Sequence, residues 1–71
     1  MKKYNLATRR TELRAWAYEV KITWDEAPLY SLIGKINDWL IDNRVKNQHY
    51  GGFTWYLKDE GDVMAFKLRW G

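Results

Sequence analysis

Five side chains carry the chemistry needed to hold a single strand of nucleic acid: Lys21, Tyr56, Lys58, Lys67 and Arg69. Cations attract phosphates, and a tyrosine ring offers a face on which a base can stack. They act together only if one surface presents them all. Other reactive types are sparse. Ser31 is the only serine and His49 the only histidine, and 18 positions separate them, so no nucleophile–base pair is marked. Asp59, Glu60 and Asp62 gather carboxylates that suit a hard cation. The acids at alternate positions and the glutamate at the twelfth that define a calcium loop are missing, and a turn or helix start uses the same residues. Asp38 and Asp42 lie one helical turn apart near Lys35, the ordinary pattern of a solvated helix face. Gly51-Gly52 lacks the Gly-Lys-Ser/Thr ending of a phosphate loop. The expectation is a protein that is not an enzyme, with no catalytic residue, no metal and no cofactor.

Positioning these side chains falls to four readable segments. In 13–24, Trp16, Tyr18, Val20, Ile22 and Trp24 alternate with Ala15, Ala17, Glu19, Lys21 and Thr23, which predicts a half-buried strand. A further strand near 3–8 could pair with it through a turn at Arg9-Arg10, although no Gly or Asn marks that turn. Over 26–44 the apolar residues Leu29, Leu32, Ile33, Ile36, Trp39 and Leu40 fall in one stripe, the pattern of a long amphipathic helix. Asp25 is its expected cap, and Pro28 is tolerated in its first turn. Residues 46–52 read as a loop closed by Gly51-Gly52, and 53–58 reads as a strand. Residues 59–70 fit two descriptions. Met64, Phe66, Leu68 and Trp70 alternate as in a strand, with Gly61 at the left-handed position of a hairpin turn. Alternatively Asp59 caps a short helix that buries Val63, Phe66 and Trp70. Alternation favours the strand.

If 13–24, 53–58 and 63–70 form one sheet, its uncovered face carries all five residues named at the outset. The helix offers a second surface. Tyr30, Gly34, Asn37 and Ile41 line a flank about 100° from the apolar stripe. Glycine inside a helix costs ~1 kcal/mol against alanine, so a close neighbour at Gly34 would account for it. Tyrosine is enriched at protein interfaces, and these four residues are the expected protein-interface set.

Composition bounds the rest. The chain has 71 residues and no cysteine, so disulfides are impossible, and one histidine rules out Cys/His zinc sites. Ordering a chain this short leaves a margin near zero. Aromatic burial must supply much of the core: five Trp, five Tyr and two Phe make 17% of the chain, and each Trp or Tyr can bury about 150–250 Å². A homodimer is the other route to stability. The net charge is +3, concentrated at the start, where Lys2, Lys3, Arg9, Arg10 and Arg14 face Glu12 alone. No stretch approaches the ~20 apolar residues of a membrane span, and no apolar run follows Lys2-Lys3. A cytoplasmic protein without a membrane partner is expected.

The stretch from Gly52 to Gly71, with Phe53-Thr54-Trp55-Tyr56-Leu57, the acidic Asp59-Glu60 pair, Ala65-Phe66 and a Leu68-Arg69-Trp70 ending, resembles the C-terminal ends of small proteins of tailed bacteriophages, notably marine ones. The resemblance covers under a third of the chain. It implies a viral origin and a strand followed by a short helix, and it brings no activity. Gly61 and Val63 stand where that pattern has a second acid and an Ala. The same stretch is similar to the third strand of an RNA-recognition motif, in which aromatics two apart stack on bases. Here Gly51 replaces the basic residue, Lys58 replaces a third aromatic, and Phe53 and Trp55 share a face with Leu57 as core residues would.

The expected architecture is a single two-layer α+β domain over 1–71: an antiparallel sheet of three or four strands on one long helix, with a basic, flexible arm over 1–12. The expected function is that of a small phage-encoded accessory protein binding a host or viral protein in the host cytoplasm. Single-stranded nucleic-acid binding on the sheet is the alternative.

Overall fold

The alternation in 18–24 sets the middle of the structure. A computed structural model describes residues 3–71, in which Val20 and Ile22 are buried and Lys21 and Thr23 exposed, as a strand with one covered face requires. This strand, β2 (Tyr18–Trp24), pairs antiparallel with β1 (Tyr4–Arg10) over seven residue pairs, from Tyr4↔Trp24 to Arg10↔Tyr18. Most of the expected N-terminal arm is therefore an edge strand; Met1 and Lys2 lie outside the described residues. The turn falls later than Arg9-Arg10 and is built by Thr11. Its N–H donates to the Ala17 carbonyl (2.8 Å), its hydroxyl donates to the Trp16 carbonyl and accepts from the Leu13 N–H (3.1 Å). Residues 13–17, read as the start of a strand, belong to this loop.

Helix α1 spans Ser31–Asp42, 12 residues, and is shorter than the expected 26–44. Asp25 does not cap it, because the helix begins at Ser31 with Tyr30 at its N-cap; the Asp25 N–H instead donates to the Lys3 carbonyl (3.1 Å) and prolongs the β1–β2 ladder. At the other end, Arg44 adopts the left-handed region (φ 54°). Its N–H donates to the Ile41 carbonyl and the Val45 N–H to the Leu40 carbonyl, a Schellman stop that turns Val45 back into the core.

The expected loop over 46–52 contains a strand, β3 (Asn47–His49), paired antiparallel with β4 (Thr54–Leu57). Gly51 (φ 62°) and Gly52 (φ 51°) make the turn between them in a region where a side chain would be strained. β4 also pairs with β2, from Tyr18↔Leu57 to Lys21↔Thr54, giving the sheet order β1-β2-β4-β3.

Both sides of β4 are thus taken, and no place beside it remains for another strand. Residues Glu60–Trp70 form helix α2 of 11 residues, not the strand that alternation favours, and Gly61 sits inside it. Glu60 and Asp62 occupy its first turn and Lys67 and Arg69 its last, complementing the helix dipole. Val63, Phe66 and Trp70 are buried, while Met64 and Leu68, which the strand would have covered, are 59% and 88% exposed.

The α+β class and the four-stranded antiparallel sheet agree with expectation; two short helices replace the single long one. Both pack on the same face of the sheet. The core is Val20, Ile22, Trp55 and Leu57 from the sheet, Ile36 and Leu40 from α1, Val63, Phe66 and Trp70 from α2, and Val45. Trp39 meets Phe66 and Trp70 edge-on, with ring centroids 5.9 and 6.4 Å apart, and joins the two helices.

Candidate functional site

Because both helices cover one side, the other side of the sheet is open. The pairing places Arg9, Glu19, Tyr56 and Gln48 in one row across the four strands, with Ala7, Lys21 and Thr54 in the next. Lys21 and Tyr56 therefore lie where the sequence puts them. Lys58 follows β4 at the end of the sheet, its ammonium 5.4 Å from the centre of the Trp16 ring. Lys67 and Arg69 do not join them. Both are on α2, in the layer behind the sheet, and the Arg69 guanidinium lies 4.1 Å from the Trp70 ring centre. The five-residue nucleic-acid set is divided between two faces, a consequence of 60–70 being helical.

Two residues outside those five enter this surface, Tyr50 and, from the basic N-terminal stretch, Arg9. Tyr50 meets Tyr56 edge-on at 5.9 Å. Arg9 holds Glu19 through two hydrogen bonds, Nε to Oε1 (2.9 Å) and Nη2 to Oε2 (3.1 Å). The Glu19 side chain is 12% exposed, and the hydrogen bond from Arg9 holds its carboxyl below the ordinary value. Partial desolvation, then the Glu19 charge, pushes the Tyr56 phenol above its ordinary value. Arg9 neutralises Glu19 within the sheet, and Lys21 and Lys58 add positive charge; Glu12, in the loop beside Arg9 and Tyr56, is a further acid at the margin. Beside them a shallow groove of about 350 Å³ runs from Arg9 and Tyr56 to the Thr11–Leu13 part of the loop. Arg9 was recoverable from alternation once 4–10 is accepted as a strand; Tyr50 follows a strand too polar to be read.

Phe53 and Trp55, the pair similar to an RNA-recognition strand, face the core. Trp55 is fully buried, stacked on His49 at 4.8 Å and 14°, with its Nε1–H donating to the Asn37 Oδ1 (2.8 Å). Base stacking on it is excluded.

Asn37 is thereby removed from the expected interface and serves the core. The other three residues of that flank are outward. Tyr30 is 69% and Ile41 72% exposed, and Gly34 lies between them on the helix. A Cβ built on Gly34 would meet nothing within 4 Å. No neighbour among the described residues requires glycine there. Tyr30 is fixed against Phe53, with ring centroids 5.9 Å apart.

The sparse reactive groups stay apart. The Nε2 of His49 lies 2.7 Å from the Gly52 carbonyl oxygen, and Ser31 opens α1. Among the described residues no group of three or more His, Cys, Asp or Glu side chains is placed to hold a metal ion, and no helix is long and apolar enough to cross a membrane. Comparison of the chain with protein-family models, with curated proteins and with solved structures returns no match.

Proposed function

We propose that this chain is a non-catalytic docking domain, of phage origin and acting in the host cytoplasm, that binds a host or viral protein through the flank of α1 carrying Tyr30, Gly34 and Ile41. The observation that carries the reading is Gly34. A glycine in mid-helix costs ~1 kcal/mol, and no close contact among the described residues demands it. A partner backbone seated against this position, between two exposed apolar side chains, gives the glycine a purpose. The resemblance of the C-terminal stretch supports the phage origin. The test is a double substitution, Tyr30→Ser with Ile41→Lys, which touches no buried residue. It should lower the melt slightly, through loss of the Tyr30–Phe53 ring contact, leave the fold intact, and abolish recovery of a defined protein from bacterial lysate. Recovery undiminished by the substitutions would contradict the reading.

A second reading rests on the Tyr50–Tyr56 pair beside Lys21 and Lys58. On it, the open sheet face binds a single nucleic-acid strand, with affinity falling steeply as salt rises because counterions are released. Lys21→Gln with Lys58→Gln should then weaken oligonucleotide binding and flatten its salt dependence. No mobility shift at low salt would remove this reading.

A further inference from the structure

Between the start of α1 and the β1–β2 end of the sheet lies an open groove of about 350 Å³, at the lower end of the range for small-molecule sites. It is distinct from both surfaces above. Its walls are the rings of Tyr4 and Trp24 and the side chains of Leu29 and Leu32. Leu29 is 61% exposed, apolar surface that a bound molecule would cover. The aromatic wall is fixed in place. The Tyr4 hydroxyl donates to the Trp70 carbonyl (2.6 Å), and the Tyr4 and Trp24 ring centroids are 5.2 Å apart.

The charged groups of the groove share one sign. Lys3, Lys35 and the Ser31 hydroxyl line it, and no carboxylate is among the described residues that do. Ser31 also begins α1, whose first turn has no acidic residue; the Leu32 and Ile33 N–H groups already donate to the Leu29 and Tyr30 carbonyls, so the helix start offers a ligand positive partial charge and not free N–H groups.

We propose that this groove binds a small organic monoanion with an apolar body, of the class of aryl-alkyl carboxylates. The carboxylate lies toward Lys3, Lys35 and the Ser31 hydroxyl, and the apolar body against Tyr4, Trp24 and Leu29. Neutral and cationic molecules with the same body lack the charge the lysines select.

The test uses the full ¹⁵N-labelled chain, whose five tryptophans give separate indole N–H signals in a heteronuclear NMR spectrum. The probes are 4-phenylbutyrate, 4-phenylbutanol and 4-phenylbutylamine, each titrated to about 10 mM, the range in which weak small-ligand binding is measurable. The carboxylate should saturate and move the Trp24 signal, binding about 3- to 10-fold more tightly than the alcohol, as two exposed ion pairs allow. The amine should bind most weakly. Lys3→Gln with Lys35→Gln should bring the carboxylate to the affinity of the alcohol. Trp24→Phe assigns the signal; if that variant does not fold, the selectivity lost in the lysine variant still decides. The proposal fails if the three probes bind alike, if the carboxylate saturates without moving the Trp24 signal, or if no saturable shift occurs.

Discussion

Replacing Gly34 with alanine isolates the cost that the α1 flank imposes on the protein without a partner. The position is interior to a 12-residue helix, and the added methyl would meet nothing within 4 Å. No packing penalty opposes the change. The gain is then the difference in helix propensity, about 1 kcal/mol, part of it through a less flexible unfolded chain. For a domain of this size that raises the melting temperature by about 4–8 °C. Circular dichroism melts and urea titrations of the two proteins measure it, with an unchanged urea slope confirming that only stability moved. A neutral or destabilising result would refute the reasoning, because it would mean that the methyl meets an obstacle or that the helix is not continuous at residue 34. The same variant should bind the partner more weakly if a backbone sits against Gly34. Gain of stability with loss of binding is the signature of a glycine kept for an interface.

The remaining predictions concern single contacts. Asn37→Ala leaves the indole N–H of fully buried Trp55 without its acceptor and should cost about 1–3 kcal/mol by urea titration, although residue 37 is only half-buried. Glu19 has its folded-state pKa depressed by the hydrogen bond from Arg9. Its contribution is therefore fully present above the ordinary carboxylate value and is lost as pH falls through the depressed value. Melting temperature should decline across that acidic window in the parent and less so in Glu19→Gln; equal declines would contradict the assignment. Phe66→Ala empties a fully buried site between Trp39 and Trp55 and should cost about 3–5 kcal/mol, enough to unfold a domain this small at room temperature, as read from loss of near-ultraviolet dichroism.

Where one face of an element is apolar at a fixed period, local sequence identifies the element. Val20 and Ile22 mark β2, and Ile36 and Leu40 mark the buried stripe of α1. β3 leaves no such mark. Asn47, Gln48 and His49 are polar because the strand is a sheet edge, and its one strong core contact is a histidine ring stacked on Trp55. That omission carries over to the C-terminus. With β3 unread, β4 has a vacant side, and the alternation of Met64, Phe66, Leu68 and Trp70 looks like the strand to fill it. Lys67 and Arg69 were assigned to the sheet for the same reason. The first hairpin is legible as a pairing of 3–8 with 13–24, but its turn falls later than Arg9-Arg10 because the Thr11 side chain builds it without the usual Gly or Asn. Tyr30, Gly34 and Ile41 were legible as an outward flank from helical spacing alone. Asn37 was not separable from them, since its bond to Trp55 crosses 18 positions in the chain.

A benzophenone photo-crosslinker placed at exposed position 41 of α1, compared with one at exposed position 58 beside the open sheet face, tests the docking assignment in living bacterial cells. The adducts are sorted by protease and nuclease digestion. A discrete protease-sensitive adduct at position 41, absent at 58 and suppressed by Tyr30→Ser, is the expected result. Nuclease-sensitive adducts at position 58 with none at 41 would contradict it and transfer the function to the sheet.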